Sequence, residues 1–181
     1  MLDALFRTGF KTLLILISAV FLSACMVLPG RVSGNAIVSE RYDFSLDIPD
    51  CDFEAKYAKD IPLIFINPET GATVTVTVSD DVYGGKMSGD GDLALEYIAR
   101  GLFLYVKNKK YIESRKSTLG GDEAWHLKLS GEFKEVPLIF STYVSRHNKK
   151  IYDVTLFSSP EDFDSSYVLF TKIVDSFKFK D

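Results

Sequence analysis

Few residues of this 181-residue chain have types and spacings that could do chemistry. They are two cysteines, Cys25 and Cys51, two histidines, His126 and His147, and the carboxylates Asp80, Asp81, Asp90 and Asp92 around a glycine-rich stretch. A thiol reacts or binds metal as the thiolate, and Asp50 and Asp52 beside Cys51 raise a thiol pKa, so Cys51 reads as an inert structural cysteine. Neither histidine has a Cys, His or carboxylate set at metal-ligand spacing along the chain. His126 alternates away from Trp125 and Leu127, and His147 falls in a turn, so both read as surface or partly buried side chains. The four aspartates offer the oxygen donors that calcium takes on a flexible loop. Their spacing is not that of an EF-hand, and Asp92, just before an apolar helical run, reads as a helix cap. No serine stands in a Gly-x-Ser-x-Gly setting, and Gly84, Gly85 and Gly89 lack the strand and helix that a phosphate-cradling loop needs. The expectation is a non-enzymatic chain with no catalytic, cofactor or metal site.

Cys25 differs because of what precedes it. Arg7 and Lys11 lie in a basic region, an apolar run follows from Leu13 to Leu22, and Ser23 and Ala24 are small, the three parts of a secretion signal. Leu22-Ser23-Ala24-Cys25 resembles the bacterial lipobox, in which a diacylglycerol is thioether-linked to the cysteine and cleavage exposes its amine for a further acyl chain. The resemblance implies a signal peptide over 1–24, lipid attachment at Cys25 and a chain held at the membrane, since two or three acyl chains anchor stably where one does not. The competing reading is an uncleaved span, because no charge occurs between Thr12 and Arg31, but Pro29 and Gly30 would break its outer end. With Met26 rather than aspartate after the cysteine, the enterobacterial sorting rule favours the periplasmic face of the outer membrane in a cell with two membranes. If Cys25 carries lipid, Cys51 has no partner for an internal disulfide.

The whole chain has an ordinary globular composition, with 46% hydrophobic, 13% aromatic and 25% charged residues. Losing Asp3, Arg7 and Lys11 removes one acid and two bases and moves the net charge from −4 to about −5. That balance does not ask for nucleic acid. Residues 25–40, punctuated by Pro29, Gly30, Gly34 and Asn35, read as a tether to a single domain over 41–181.

Several elements must position these side chains. Alternation predicts strands at Tyr42–Ile48, Leu63–Ile66 and Ala72–Ser79, the last two joined as a hairpin through Asn67–Gly71. Leu95, Ile98, Leu102 and Tyr105 recur at helical spacing, with Glu96 and Arg100 as an exposed pair and Lys107, Lys109 and Lys110 at the helix end. These lysines with Arg115 and Lys116 form a basic neighbourhood, read as solvated surface, with anionic lipid or an acidic partner as the alternative. Strands follow at Tyr111–Leu119, Ala124–Leu129, Leu138–Ser145 and Ile151–Phe157, with turns at Gly120-Gly121-Asp122 and His147-Asn148-Lys149. Ser159-Pro160-Glu161-Asp162 reads as a helix start with Pro160 at the first helical position, and Phe163, Tyr167, Phe170 and Val174 as that helix's buried stripe. Strands, helix, four strands, helix predicts an α+β sandwich on an antiparallel sheet flanked by helices.

The ordered pattern resembles the PsbP-like family. Tyr42-Asp43-Phe44-Ser45-Leu46-Asp47-Ile48-Pro49 is similar to its opening strand, Ile66-Asn67-Pro68 to Val78 to its central hairpin, and Ile151-Tyr152-Asp153-Val154-Thr155-Leu156 through Ile173-Val174-Asp175-Ser176-Phe177 to its closing strand and helix. The resemblance implies the family's α/β/α sandwich and carries over no binding residue. The functional expectation is a lipid-anchored envelope protein, membrane-bound through its lipid, that binds a partner protein or assists assembly. The alternative is a carrier of a small molecule or metal ion in the hollow between sheet and helices.

Overall fold

The computed structural model describes residues 31–33, 36–47, 54–58, 61–81 and 91–180; Cys25 and Cys51 lie outside them. In chain order the elements are β1 (Arg31–Ser33), β2 (Ala36–Ser39), β3 (Phe44–Asp47), β4 (Glu54–Ala58), β5 (Ile61–Ile66), β6 (Thr73–Asp80), α1 (Gly91–Gly101), β7 (Lys107–Leu119), β8 (Asp122–Phe133), β9 (Val136–His147), β10 (Lys150–Ser158), α2 (Phe163–Ser176) and β11 (Lys178–Phe179). Among the described residues the strands form two antiparallel sheets. The larger runs β4-β5-β6-β10-β9-β8-β7 and the smaller β1-β2-β3-β11. From β6 the chain passes through α1 to the far edge, then returns by hairpins until β10 lies beside β6. This is the α+β sandwich with an antiparallel sheet that the element order predicts.

Strand side chains alternate between faces, so the register assigns each residue to a layer. On one face Tyr152, Val154 and Leu156 of β10 meet Val74 and Val76 of β6 under Phe163, Phe170 and Ile173 of α2 and Phe44 of β3. On the other, Leu127, Leu129, Phe140 and Val144 pack against Leu95, Ala99 and Phe103. Each fully buried phenylalanine contributes about 1.5–3 kcal/mol, so Phe163 and Phe170 hold α2 far more firmly than any of its surface pairs. Lys150 Nζ, 2.8 Å from Asp43 Oδ2, ties the small sheet to the large one.

The three hairpins β7–β8, β8–β9 and β9–β10 turn in two residues, each with positive φ: Gly120-Gly121, Lys134-Glu135 and Asn148-Lys149. Such turns match the right-handed twist of the strands. At Gly120 a side chain is also excluded by space, because a Cβ would lie 2.8 Å from the Phe179 ring.

Four expectations need correction. The 25–40 tether contributes β1 and β2, and Ile37 is buried; three- and four-residue strands are too short for alternation to outweigh the glycine and proline around them. Helix α1 begins at Gly91, so Asp92 lies in its first turn rather than before it. It ends at Gly101, and Leu102 and Tyr105 are exposed instead of buried. The three lysines belong to β7, whose pairing with β8 reaches back to Lys107 opposite Glu132 and outweighs one more helical turn. Helix α2 begins at Phe163 with Asp162 in the capping position and no side-chain cap; Ser159 Oγ accepts from the Asp162 N–H at 3.2 Å within the turn before the helix, and Pro160 also precedes the helix.

Candidate functional site

Asp153, in the middle of β10, stands opposite Thr77 of β6 and, two residues on along the same face, near the Thr155–Thr142 pair formed with β9. Thr77 Oγ1 donates to its Oδ2 at 3.1 Å, Thr142 Oγ1 to its Oδ1 at 2.6 Å, and Thr155 Oγ1 lies 2.5 Å from the same oxygen and 2.7 Å from Thr142 Oγ1. Burial pushes the Asp153 carboxyl above its ordinary range, and the three hydroxyls pull it part of the way back. With Ser79, Asp80 and Ile151 from the sheet and Ile98 and Leu102 from the helix side, Asp153 lines a cavity of about 100 Å³. That is room for a few waters, well short of the roughly 300–1,000 Å³ of small-molecule sites.

His126 lies on the opposite face. Its Nε2 is 2.9 Å from Ser141 Oγ, its ring stacks on Tyr143 at 4.4 Å, and Glu113 Oε1 is 3.6 Å from Nδ1, which has no hydrogen-bond partner. Glu113 is in turn paired with Arg115. A hydroxyl, an imidazole and a carboxylate in that order are the members of a nucleophilic triad. Here His126 and Ser141 are both 0% exposed, so no substrate carbonyl can reach the hydroxyl. Burial lowers the His126 pKa against the pull of Glu113, and it raises the Tyr143 hydroxyl to about 12. The cluster is a packed polar core.

The expectation of a surface or partly buried His126 fails because the sheet is covered on both faces: alternation away from Leu127 leads under α2, not into water. His147, at the end of β9, is half-buried as expected. Its Nδ1 is 2.6 Å from Asp122 Oδ2 and its ring stacks on Phe179 at 4.2 Å. Both histidines therefore have a carboxylate neighbour that sequence spacing hid. The register pairing Ala124 with Ser145, continued by two residues, brings Asp122 opposite His147.

The four aspartates divide. Asp81 Oδ2 is 2.7 Å from Arg146 Nε and its side chain is 2% exposed, so its charge is already answered. Asp80 lines the small cavity, Asp92 is in the first turn of α1, and Asp90 lies outside the described residues. Among the described residues no group of three or more His, Cys, Asp or Glu could hold a metal ion. No described helix is long and apolar enough to cross a membrane.

Among the described residues, the outer rim carries exposed side chains. Glu96 and Arg100 pair as predicted, Arg100 Nη2 lying 2.7 Å from Glu96 Oε1, and the guanidinium sits 4.4 Å from the centre of the Tyr111 ring. Beyond that contact, the turn after α1 and the start of edge strand β7 leave Leu104, Tyr105 and Ile112 in solvent.

No protein family and no curated protein matches the sequence. Solved structures do match in fold. LpqN of Mycobacterium tuberculosis, described as involved in cell envelope biogenesis, aligns at 13% identity over 76% of this chain and 83% of its own, with a TM-score of 0.58. The cyanobacterial PsbP protein CyanoP of Synechocystis sp. PCC 6803 aligns at 15% identity over 87% of this chain and 98% of its own, with a TM-score of 0.55. A structure from Bacteroides thetaiotaomicron aligns at 8% identity, covering 83% of this chain and 50% of that one, with a TM-score of 0.53. The chain thus has the PsbP-like α+β fold.

Proposed function

We propose that this chain is a non-enzymatic protein of the bacterial cell envelope, tethered by lipid on Cys25, that works by presenting its surface to a partner protein during assembly or maintenance of the envelope. The observation that carries the reading is the fate of the reactive side chains. Ser141, His126 and Asp153 are divided between the two faces of one sheet and are buried by the layers on either side. Among the described residues, the cavity beside Asp153 is smaller than small-molecule sites, which favours this reading over the alternative of a small-molecule carrier. The likeness to LpqN supports an envelope setting through fold alone, and the lipobox-like leader supports the tether.

The anchor is tested by mass spectrometry of the chain purified from its host. The expected mature N-terminus is Cys25 with diacylglycerol on sulfur, and C25S should leave an unprocessed, unlipidated chain. A bare Cys25 thiol, or a wild-type chain retaining residues 1–24, would overturn it. The partner is tested by crosslinking in intact cells: one or a few proteins should be recovered reproducibly, and none recovered from cells expressing the chain at its native level would refute the reading.

A further inference from the structure

The turn after α1 and the edge strand β7 combine two properties that pull in opposite directions for a water-facing edge. β7 spans Lys107–Leu119 and carries five bases, Lys107, Lys109, Lys110, Arg115 and Lys116, against one acid, Glu113. The whole chain has the reverse balance, with 21 bases and 25 acids. Lysines on an edge strand are a common guard against edge-to-edge pairing, and they would suffice for that alone. A guarding edge has no use for greasy tips, yet Leu104 is 72% and Tyr105 85% exposed at the turn, and Ile112 is 51% exposed on the strand itself. Tyr97 of α1 and Tyr111 of β7 are also exposed, Tyr111 under Arg100. Lys109 Nζ donates to Phe103 O at 3.0 Å, so the basic strand and the apolar turn are joined. Among the described residues two acids outside β7 face the patch: Glu96, occupied by Arg100, and Glu132, opposite Lys107 in the register.

We infer that this corner seats on an anionic lipid bilayer, with Leu104 and Tyr105 entering the headgroup boundary, the tyrosines at headgroup level and the lysines over lipid phosphates. Tyrosine and lysine beside an exposed aliphatic are what a membrane interface accepts: the rings are amphipathic, the lysine stems can lie along apolar surface, and the ammonium groups find anions. The inference rests on the tethered reading only in that lipid on Cys25 would keep the corner near a bilayer. The tether itself needs no anionic lipid, whereas the corner does.

The test uses the lipidated full chain on vesicles of phosphatidylcholine alone and of phosphatidylcholine with phosphatidylglycerol, read by flotation and by hydrogen exchange across residues 102–112. The turn amides are sensitive reporters, because Phe103 N–H and Leu104 N–H make long bonds of 3.4 and 3.3 Å. Exchange of this segment should slow by more than about tenfold on the anionic vesicles relative to the neutral ones. L104S/Y105S and K107S/K110S, all at exposed positions, should each abolish the slowing while the chain still floats. Equal exchange on both vesicle types with the chain afloat overturns the inference and leaves the anchor intact. Slowing without vesicles that grows with protein concentration also overturns it and assigns the corner to a second copy, and slowing that requires another envelope protein assigns it to that partner. A chain that does not float on neutral vesicles sinks the tether, and the corner is then judged by anionic vesicles against the free chain.

Discussion

Asp153 sets two terms against each other, and their balance can be measured. Burial favours the neutral acid, while three threonine hydroxyls favour the carboxylate, and burial is the larger, so the folded-state pKa stands above its ordinary 3.8. The native chain then keeps a proton over a pH window in which the unfolded chain has released it. The resulting stability is complete below the unfolded value and is lost as pH rises through the folded one, at up to about 1.4 kcal/mol per pH unit. Asp153→Asn keeps the shape and loses the charge. Its amide oxygen can accept from Thr142 and Thr155, and its NH2 can donate to Thr77 if that hydroxyl turns. Urea denaturation of wild type and D153N from about pH 4 to about pH 8 should therefore show the variant gaining on wild type with rising pH, then a plateau. His126 titrates alike in both chains and cancels. D153A is a contrasting control: it leaves the buried Thr142 and Thr155 hydroxyls with only each other beside a void and should cost about 2–4 kcal/mol. A difference between D153N and wild type that is flat, or that falls with pH, would mean that the three hydroxyls outweigh desolvation and would refute the reasoning.

Three further outcomes can be checked by denaturation. Burial lowers the His126 pKa below its ordinary 6.5, so the unfolded chain takes up a proton that the native chain refuses; wild type should lose stability relative to H126F as pH falls below about 6.5, the reverse sign of the Asp153 effect. Gly131 lies against Val106 Cγ1, and a Cβ there would be 2.8 Å from the Lys107 carbonyl oxygen, so G131A should destabilise by about 1–3 kcal/mol; an unchanged urea midpoint would show that the two strands can move apart freely. Lys134 and Glu135 hold φ of 51° and 67°, conformations that Asn-Gly adopts at less cost, and K134N/E135G should raise the melting temperature, with about 0.5–1 kcal/mol gained.

Much of the fold was legible because most strands are long enough for period-two alternation to show, and the Gly120-Gly121 and Asn148-Lys149 turns announce themselves by composition. Lys134-Glu135 does not: two charged residues at positive φ carry no turn signal, and only the strands on either side fix them there. Leu102 and Tyr105 continue the helical spacing a turn past the end of α1, while the competing pull, pairing of Lys107 with Glu132 on β8, is invisible to a local pattern. The polar clusters were hidden for a topological reason. Thr77 and Thr142 meet at Asp153 only because β10 inserts between β6 and β9, a pairing made after the chain has passed through α1 and three more strands. His126 and Glu113 needed the β7–β8 register, in which His126 stands opposite Arg115 and Glu113 opposite Lys128, so the two meet only as diagonal neighbours on one face of the sheet.

The same topology explains why function should be sought at the rim. A strand buried on one side offers its other side to water and to ligands, but β8, β9 and β10 are covered on both, by α1 on one face and α2 with the small sheet on the other. Polar side chains on such strands must find partners inside the protein, and the central ones do: Ser141 with His126, Thr142 and Thr155 with Asp153, while Ser158 Oγ and His126 Nδ1 are left without a hydrogen bond. A group satisfied in this way has little left for a substrate, because breaking its bonds would cost roughly 1–3 kcal/mol apiece before any ligand contact is made. Selection on this architecture for binding therefore acts most cheaply on residues that no layer covers, the tips of turns and the two edges of the large sheet. One of those edges, β7, is a 13-residue strand with a basic bias and with uncovered apolar side chains at its head.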